Sequence, residues 1–429
     1  MNKETLKGVL RQFSEGDLPR FRRRELRLPA ESGKVVCLTG ARRTGKTFLM
    51  FQTMHDLIEQ GVSPDQIVYL NFEDDRLYPV ANDELDLILR AHQEMFPDVA
   101  QKKRFVFFDE IQNLSGWERF VRRICDTENV SVFLTGSSSS LLRKDMSTAM
   151  RGRSITFEVF PLSFAEFLAF REIDYVAYSA ASEARIVNAF QEYLDWGGFP
   201  EVVLAEEPLK LMILQEYAGL MLHRDLIERF SIRNERAIRL LLKFCAEHTG
   251  SLVSINKLFK DFTSQGVKIG KATLYDYMAM LEASFIVFAC PKYDPSTRRQ
   301  TQAPQKVHML DPGLTRAYRA RPQRDVGHRF ETLIYLHIRR RTQDICYYRN
   351  GFELDMCWGE GEHFVNAAWD ITERETAARE LKALDAGLNL WPQANGRLVY
   401  GVGAKLPPSH KPFMVEGWRY LLHGETDQD

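Results

Sequence analysis

The stretch Gly40-Ala41-Arg42-Arg43-Thr44-Gly45-Lys46-Thr47 has the spacing G-x-x-x-x-G-K-[ST], and it joins the apolar run Val35-Val36-Cys37-Leu38 to a segment of helical pattern that continues with Phe48. A strand that turns through glycines into a helix leaves successive backbone N–H groups facing one point at the positive end of that helix, which suits a polyphosphate. Gly40 and Gly45 permit the torsions such a loop needs. The expected nucleotide-binding set is Gly40, Ala41, Arg42, Arg43, Thr44, Gly45, Lys46, Thr47 and Phe48. Lys46 is expected to reach the β and γ phosphates of ATP, and the Thr47 hydroxyl to take one coordination position of Mg²⁺. The motif thus commits the first third of the chain to a strand–loop–helix α/β core.

A second apolar run ends in two carboxylates, Phe105-Val106-Phe107-Phe108-Asp109-Glu110. This places both acids at the end of a buried strand, beside the phosphate loop. Asp109 is expected to hold the metal, and Glu110 to polarise a water in line with the γ phosphate, so hydrolysis is favoured over binding alone. After a further strand come Thr135-Gly136-Ser137-Ser138, of which Ser137 is the preferred γ-phosphate sensor. Arg151 and Arg153 follow, and either is a candidate for donation to a neighbouring subunit's nucleotide.

A chain of 429 residues corresponds to about three domains of ordinary size. With 45% hydrophobic and 27% charged residues, disorder and fibrous folds are excluded. Lys+Arg 57 against Asp+Glu 58 argues against a globally basic nucleic-acid coat, although Arg20, Arg22, Arg23 and Arg24, Arg298 and Arg299, and Arg339, Arg340 and Arg341 form local basic runs. The six cysteines lie far apart and form no C-x-x-C pair, so neither a zinc module nor a disulfide framework is expected. No signal-like apolar segment and no stretch approaching the roughly 18 apolar residues of a membrane span is found, which predicts a cytoplasmic protein without membrane contact.

The apolar runs at 35–38, 67–70, 105–108 and 132–134 predict parallel strands buried on both faces, with an edge strand over 155–159. The expected divisions are an ATPase core over 1–162, a helical lid over 163–234, a winged helix over 235–305 and a terminal α/β domain over 306–429. Within the lid, Gly197-Gly198-Phe199-Pro200-Glu201 reads as a hinge or a packing turn, and His223, Arg224 and Asp225 share a helix from which Arg224 would approach the nucleotide. Arg42 and Arg43 are expected to contact a neighbouring subunit, to contact Asp74 and Asp75, or to stand in solvent.

The segments LTGARRTGKT, VYLNFEDDRL, FVFFDEIQNLSGWE, FLTGSSSSLL, RGRSITFEVFPLSFAEFL, WGGFPEVV, KVHMLDPGL and FE…YYRNGFELD together resemble the bacterial and archaeal AAA-type ATPases that carry a C-terminal domain of uncharacterised function. The resemblance implies a P-loop parallel sheet with a helical lid, followed by a winged helix and a restriction-endonuclease-like fold of the PD-(D/E)XK kind. It also implies that Asp109, Glu110 and Ser137 match the family's acidic pair and sensing position. In the terminal fold, Glu331 and Asp355 match the first two acidic positions, with Glu353 two residues before. The strand expected to carry E-x-K reads Phe364-Val365-Asn366-Ala367-Ala368-Trp369, so the metal lacks a carboxylate and the water its lysine. A degenerate domain that does not cleave DNA is expected, with Glu331 and Asp355 paired to arginines.

Two functional readings follow. In the first, a homo-oligomeric, hexameric ring hydrolyses ATP to remodel or translocate DNA, with Lys268, Lys271, Thr273 and Tyr275 of the winged helix near the groove. In the second, the nucleotide switches an interaction with a protein partner, in signalling or defence.

Overall fold

The computed structural model describes residues 2–79, 84–99, 101–136, 152–176, 179–318, 326–402 and 413–423. Contacts divide the chain into two compact units, 1–159 and 160–429.

The first unit is built on five parallel strands, β1 (Val35–Thr39), β2 (Ile67–Asn71), β3 (Arg104–Asp109), β4 (Val130–Gly136) and β5 (Ser154–Glu158). Their order is β2-β3-β4-β1-β5. The strands read as continuous apolar runs because both faces of the sheet are covered. Val35, Cys37, Val106, Phe108, Val132 and Leu134 point to one face, against helices α1 (Lys3–Ser14), α3 (Asp86–Met95) and α4 (Trp117–Thr127). Val36, Leu38, Phe105, Phe107 and Phe133 point to the other, against α2 (Lys46–Glu59). Burial of about 25 cal/mol per Å² of apolar surface on both faces drives this layering. Because the strands run parallel, the phosphate loop after β1, the acids after β3 and the end of β4 share one edge of the sheet, with β4 between β1 and β3.

The second unit opens on a helix, Phe164–Phe170, whose start is set by a capping box. Ser163 Oγ accepts the Glu166 N–H at 3.0 Å, and Glu166 Oε2 accepts the Ser163 N–H at 2.9 Å. The helices Ala180–Trp196 and Glu207–Leu220 both pack against Pro312–Tyr318, and Met221–Glu228 continues in π-helical form. Next come a helix Glu235–Glu247, β6 (Ser251–Val253), helices Ile255–Ser264 and Lys271–Ala283, β7 (Val287–Cys290) and β8 (Gln305–Met309). These strands form an antiparallel sheet of order β6-β8-β7. The remainder is a helix Val326–Arg339 and a five-stranded sheet ordered β13-β12-β11-β10-β9. Its strands are β9 (Cys346–Arg349), β10 (Glu353–Trp358), β11 (His363–Asp370), β12 (Asn395–Val402) and β13 (Met414–Glu416), with a helix Arg374–Leu390 between β11 and β12.

Two expected boundaries move. The division after 162 falls at 159. The division after 305 falls within β8 (Gln305–Met309), the middle strand of the three-stranded sheet. The segments 163–234, 235–305 and 306–429 accordingly lie in one compact unit.

Candidate nucleotide site

In the phosphate loop, Gly40 has φ +148° and Gly45 φ +93°, and a Cβ on Gly40 would come within 2.3 Å of the Val159 carbonyl oxygen. Only glycine fits there. Arg43 also takes a left-handed conformation, at φ +65°. Thr44 Oγ1 donates to the Ala41 carbonyl at 3.0 Å, which closes the turn on itself. Lys46 is buried, its Nζ donating to the Gly40 carbonyl at 3.0 Å and the Ala41 carbonyl at 2.8 Å. The ammonium is thus held at the mouth of the loop, where an anion would draw it across a short distance. Phe48 is half exposed and meets Phe51 edge-on.

Thr47 Oγ1 donates to Asp109 Oδ2 at 2.8 Å, so the two residues named from separate motifs meet directly. Asp109 is buried and also accepts from the hydroxyls of Tyr69, at 3.2 Å to Oδ2, and Thr135, to Oδ1. Three hydroxyl donors fix its carboxylate. Burial pushes the Tyr69 phenol well above its ordinary range, and the adjacent Asp109 adds to this, so Tyr69 remains a donor. An all-oxygen pair such as Thr47 and Asp109 fits the ligand preference of Mg²⁺. Bound there, the ion would neutralise phosphate charge.

Glu110 follows in a left-handed conformation, φ +51° and ψ +46°, unusual for a residue with a side chain. Its N–H donates to Thr135 Oγ1 at 2.9 Å, and its Oε2 accepts from Gln112 Nε2. Burial raises the Glu110 carboxyl above its ordinary value, while Lys46 and Gln112 pull it down. The structure therefore assembles Gly40 to Thr47, Asp109 and Glu110 at one sheet edge. Ser137 and Arg151 lie outside the described residues. Arg153 pairs with Asp126 in its own unit.

Sequence reasoning missed Tyr69 and Gln112, and passed over Thr135 in favour of Ser137 in the same turn. Thr135 and Gln112 were within reach of the motifs, but Tyr69 faces Asp109 only because β2 and β3 are neighbours in register, Asn71 opposite Asp109. Arg42 pairs with Glu73 at 3.0 Å, whereas Asp74 is taken by Arg76.

Residues 32–168 match the family described as AAA domain, and residues 187–325 match a domain of unknown function (DUF8612). An uncharacterized protein of Methanocaldococcus jannaschii is 30% identical over 373 residues, covering 85% of this chain and 81% of that protein. An uncharacterized protein of Haemophilus influenzae is 31% identical over 343 residues, with coverage of 79% and 83%. The chain belongs to this family of P-loop AAA-type ATPases. Among solved structures, the ORC1 protein of Aeropyrum pernix in complex with DNA is 12% identical at a TM-score of 0.31, with 74% of this chain and 90% of that chain covered. AMPPCP-bound DnaA from Aquifex aeolicus is 15% identical at 0.24, with coverage of 65% and 86%.

The other singled-out residues of this AAA-type chain lie as follows. Arg23 pairs with Asp56 and Glu59, and Arg24 is buried against the phosphate loop, donating to the Thr44 carbonyl at 2.9 Å. Arg299 pairs with Asp294, Arg339 lies over the rings of Phe160 and Phe288, and Arg340 donates to the carbonyls of Pro161 and Leu162. Several of the basic runs are therefore engaged internally. Lys268, Lys271 and Tyr275 are exposed, and Thr273 is half-buried. His223 contacts Arg239, and Arg224 pairs with Glu228.

Glu331 and Asp355 do come together, but through a lysine and not through arginines. Lys306 Nζ lies 3.0 Å from Glu331, 3.0 Å from Glu353 and 2.7 Å from Asp355. Its burial opposes the charge, but Asp355, Glu331 and Glu353 outweigh it and hold Lys306 well above the ordinary lysine range. Burial lifts Glu331 to about 8, against the pull of Lys306. Asn366 stands where an acid was expected, its Nδ2 donating to Glu380 Oε2 at 3.3 Å. No helix among the described residues is long and apolar enough to cross a membrane.

Proposed function

We propose that this AAA-type ATPase hydrolyses ATP with Mg²⁺ and couples turnover to remodelling or translocation of DNA, branched DNA included, as a homo-oligomeric, hexameric ring. The observation that carries the hydrolytic part is the 2.8 Å contact between Thr47 Oγ1 and Asp109 Oδ2, with Lys46 in the loop and Glu110 on the same edge. Lys46 would exchange the Gly40 and Ala41 carbonyls for phosphate oxygens. Glu110 would accept the proton of the attacking water, and its raised pKa suits that role because proton transfer is most effective when the base titrates nearer the working pH. Ser137 is the proposed γ-phosphate sensor, and Arg151 and Arg153 are the proposed donors in trans.

For the DNA part, the order helix, β6, two helices, β7, β8 supports reading 235–309 as a winged helix. Its third helix exposes Lys271 and Tyr275, with Lys268 just before it. The order helix, β9, β10, β11, helix, β12 supports a PD-(D/E)XK-like terminal fold. With Asn366 and Ala368 on the strand where the acid and lysine belong, this fold binds without cutting.

The test is steady-state ATP hydrolysis at fixed moderate salt, alone and with single-stranded, duplex and four-way-junction DNA, using Lys46→Ala and Glu110→Gln as controls. Stimulation by one DNA form, lost in both variants, is expected. Turnover indifferent to every DNA would transfer the proposal to a protein-directed switch.

A further inference from the structure

Arg24 belongs to the local basic run Arg20, Arg22, Arg23 and Arg24 before β1, yet it is only 8% exposed. Gln52 of α2 grips its backbone from both sides. The Arg24 N–H donates to Gln52 Oε1 at 2.6 Å, while Gln52 Nε2 donates to the carbonyls of Arg24 at 3.3 Å and Leu26 at 3.2 Å. Gln52 is itself buried, so the strap is seated on α2 and does not lie loosely over it. From this anchored backbone, Arg24 Nη1 reaches the Thr44 carbonyl inside the phosphate loop at 2.9 Å.

The Thr44 carbonyl and the Gly45 N–H belong to one peptide unit. A trans peptide is planar, with its C=O and N–H pointing in opposite directions. A donor that holds the carbonyl outward therefore holds the Gly45 N–H on the opposite side, and Gly45, at φ +93°, lacks the Cβ that would otherwise restrain the flip of this unit. A guanidinium does more than a neutral donor there. Hydrogen bonds to a carbonyl polarise the whole peptide, and a cation polarises it most, strengthening the N–H at its other end as a donor to an anion.

We infer that Arg24 is a positioning residue for the nucleotide, orienting and polarising the Thr44–Gly45 peptide so that the Gly45 N–H is set to receive a phosphate oxygen. This rests on the reading of the loop as an ATP site. Arg24 acts from behind the loop and touches no phosphate itself, which separates it from Lys46. Arg23, its neighbour on the same strap, pairs with Asp56 and Glu59 and has no part in the loop.

The test compares Arg24→Gln, Arg24→Lys and Arg23→Gln with the wild type, reading equilibrium binding of a fluorescent ATP analogue, KM and kcat for ATP, and the melting shift that the nucleotide induces. The glutamine variant keeps a neutral donor and loses the charge. It should bind ATP about tenfold more weakly, the size expected for losing one charge-assisted hydrogen bond, with KM rising more than kcat falls. The lysine variant should recover most of that affinity, and Arg23→Gln should match the wild type. Wild-type affinity in Arg24→Gln, or an equal loss in Arg23→Gln, overturns the inference. Should the glutamine variant not fold, the lysine variant decides, because a folded Arg24→Lys protein with a tenfold loss would show that the charge is not what the loop uses. A wild type that binds no ATP would sink the ATP reading itself, a result distinct from either.

Discussion

At the scale of single residues, Asp311 illustrates how a buried carboxyl ties distant motifs. Its Oδ2 accepts the Gly198 N–H at 2.7 Å and its Oδ1 the Gly313 N–H at 2.8 Å. A Cβ on Gly197 would overlap the Asp311 carboxyl, and one on Gly313 would lie 2.1 Å from the Trp196 carbonyl oxygen. The turn Trp196-Gly197-Gly198 therefore needs glycine at 197 for packing against Asp311, and at 198 because a Cβ there would lie 2.5 Å from the Leu162 carbonyl oxygen. Burial raises the Asp311 carboxyl from 3.8 to about 7, although the N–H groups of Gly198, Gly313 and Leu314 and the charge of Arg340 all pull it down. The folded state thus holds this proton more tightly than the unfolded chain does. Stability from this group is full below about pH 4 and is lost as pH rises towards 7. Chemical denaturation of wild type and Asp311→Asn over that range should show a falling slope in the wild type that the variant flattens. The variant should also be about 1–3 kcal/mol less stable at the acid end, because an amide has one acceptor oxygen where the carboxyl offers two. Equal slopes in both proteins would reject the assignment.

At the scale of elements, β8 does two jobs. It completes a three-stranded sheet by pairing with β6 and β7, and its Lys306 delivers a buried ammonium to three carboxylates on the helix Val326–Arg339 and on β10. Removing Lys306 leaves the partly buried carboxylates of Asp355 and Glu353 without their cation, while Glu331, raised to about 8, is mostly protonated at neutral pH and leaves little charge. Lys306→Met should therefore lower the unfolding free energy by about 1–3 kcal/mol, measured by urea denaturation at neutral pH. A loss within 0.5 kcal/mol, ordinary for a surface change, would mean that the carboxylates are satisfied without Lys306. The element scale also shows where local reading failed. The resemblance placed the E-x-K position on the strand that is β11, which carries neither acid nor lysine there, and the lysine that meets Asp355 comes from β8, far earlier in the chain.

At the scale of the whole molecule, the phosphate-loop residues 40–47 and the acids Asp109 and Glu110 all lie in the unit 1–159. If Arg151 or Arg153 serves a neighbouring subunit, hydrolysis depends on assembly. Specific activity should then fall several-fold on dilution through the subunit dissociation range, and traces of Lys46→Ala subunits should depress mixed rings more than in proportion. Activity independent of concentration, with simple additivity on mixing, would assign a complete site to each subunit. The Arg153–Asp126 pair is exposed and offers little resistance to such a rearrangement.

The apolar runs at 35–38, 67–70, 105–108 and 132–134 were legible because the middle of a strand covered on both faces is apolar on successive positions. The loop over 40–47 and the acids 109 and 110 were legible because each is a local pattern, set by the torsions of one turn and the end of one strand. What joined them was not local. Strand order and register placed Tyr69, Thr47 and Thr135 on the Asp109 carboxylate, and the return of the N-terminal strap over α2 turned Arg24 from a basic run into a support of the loop. In the same way, Arg339 and Arg340 were engaged by Phe160, Pro161 and Leu162, and Lys306 replaced the expected arginines. Residue type and spacing suffice for chemistry confined to one turn or one strand, since backbone geometry there has few alternatives. Partners distant along the chain are selected by which elements pack together, and that choice is a sum over the whole core that no single segment carries.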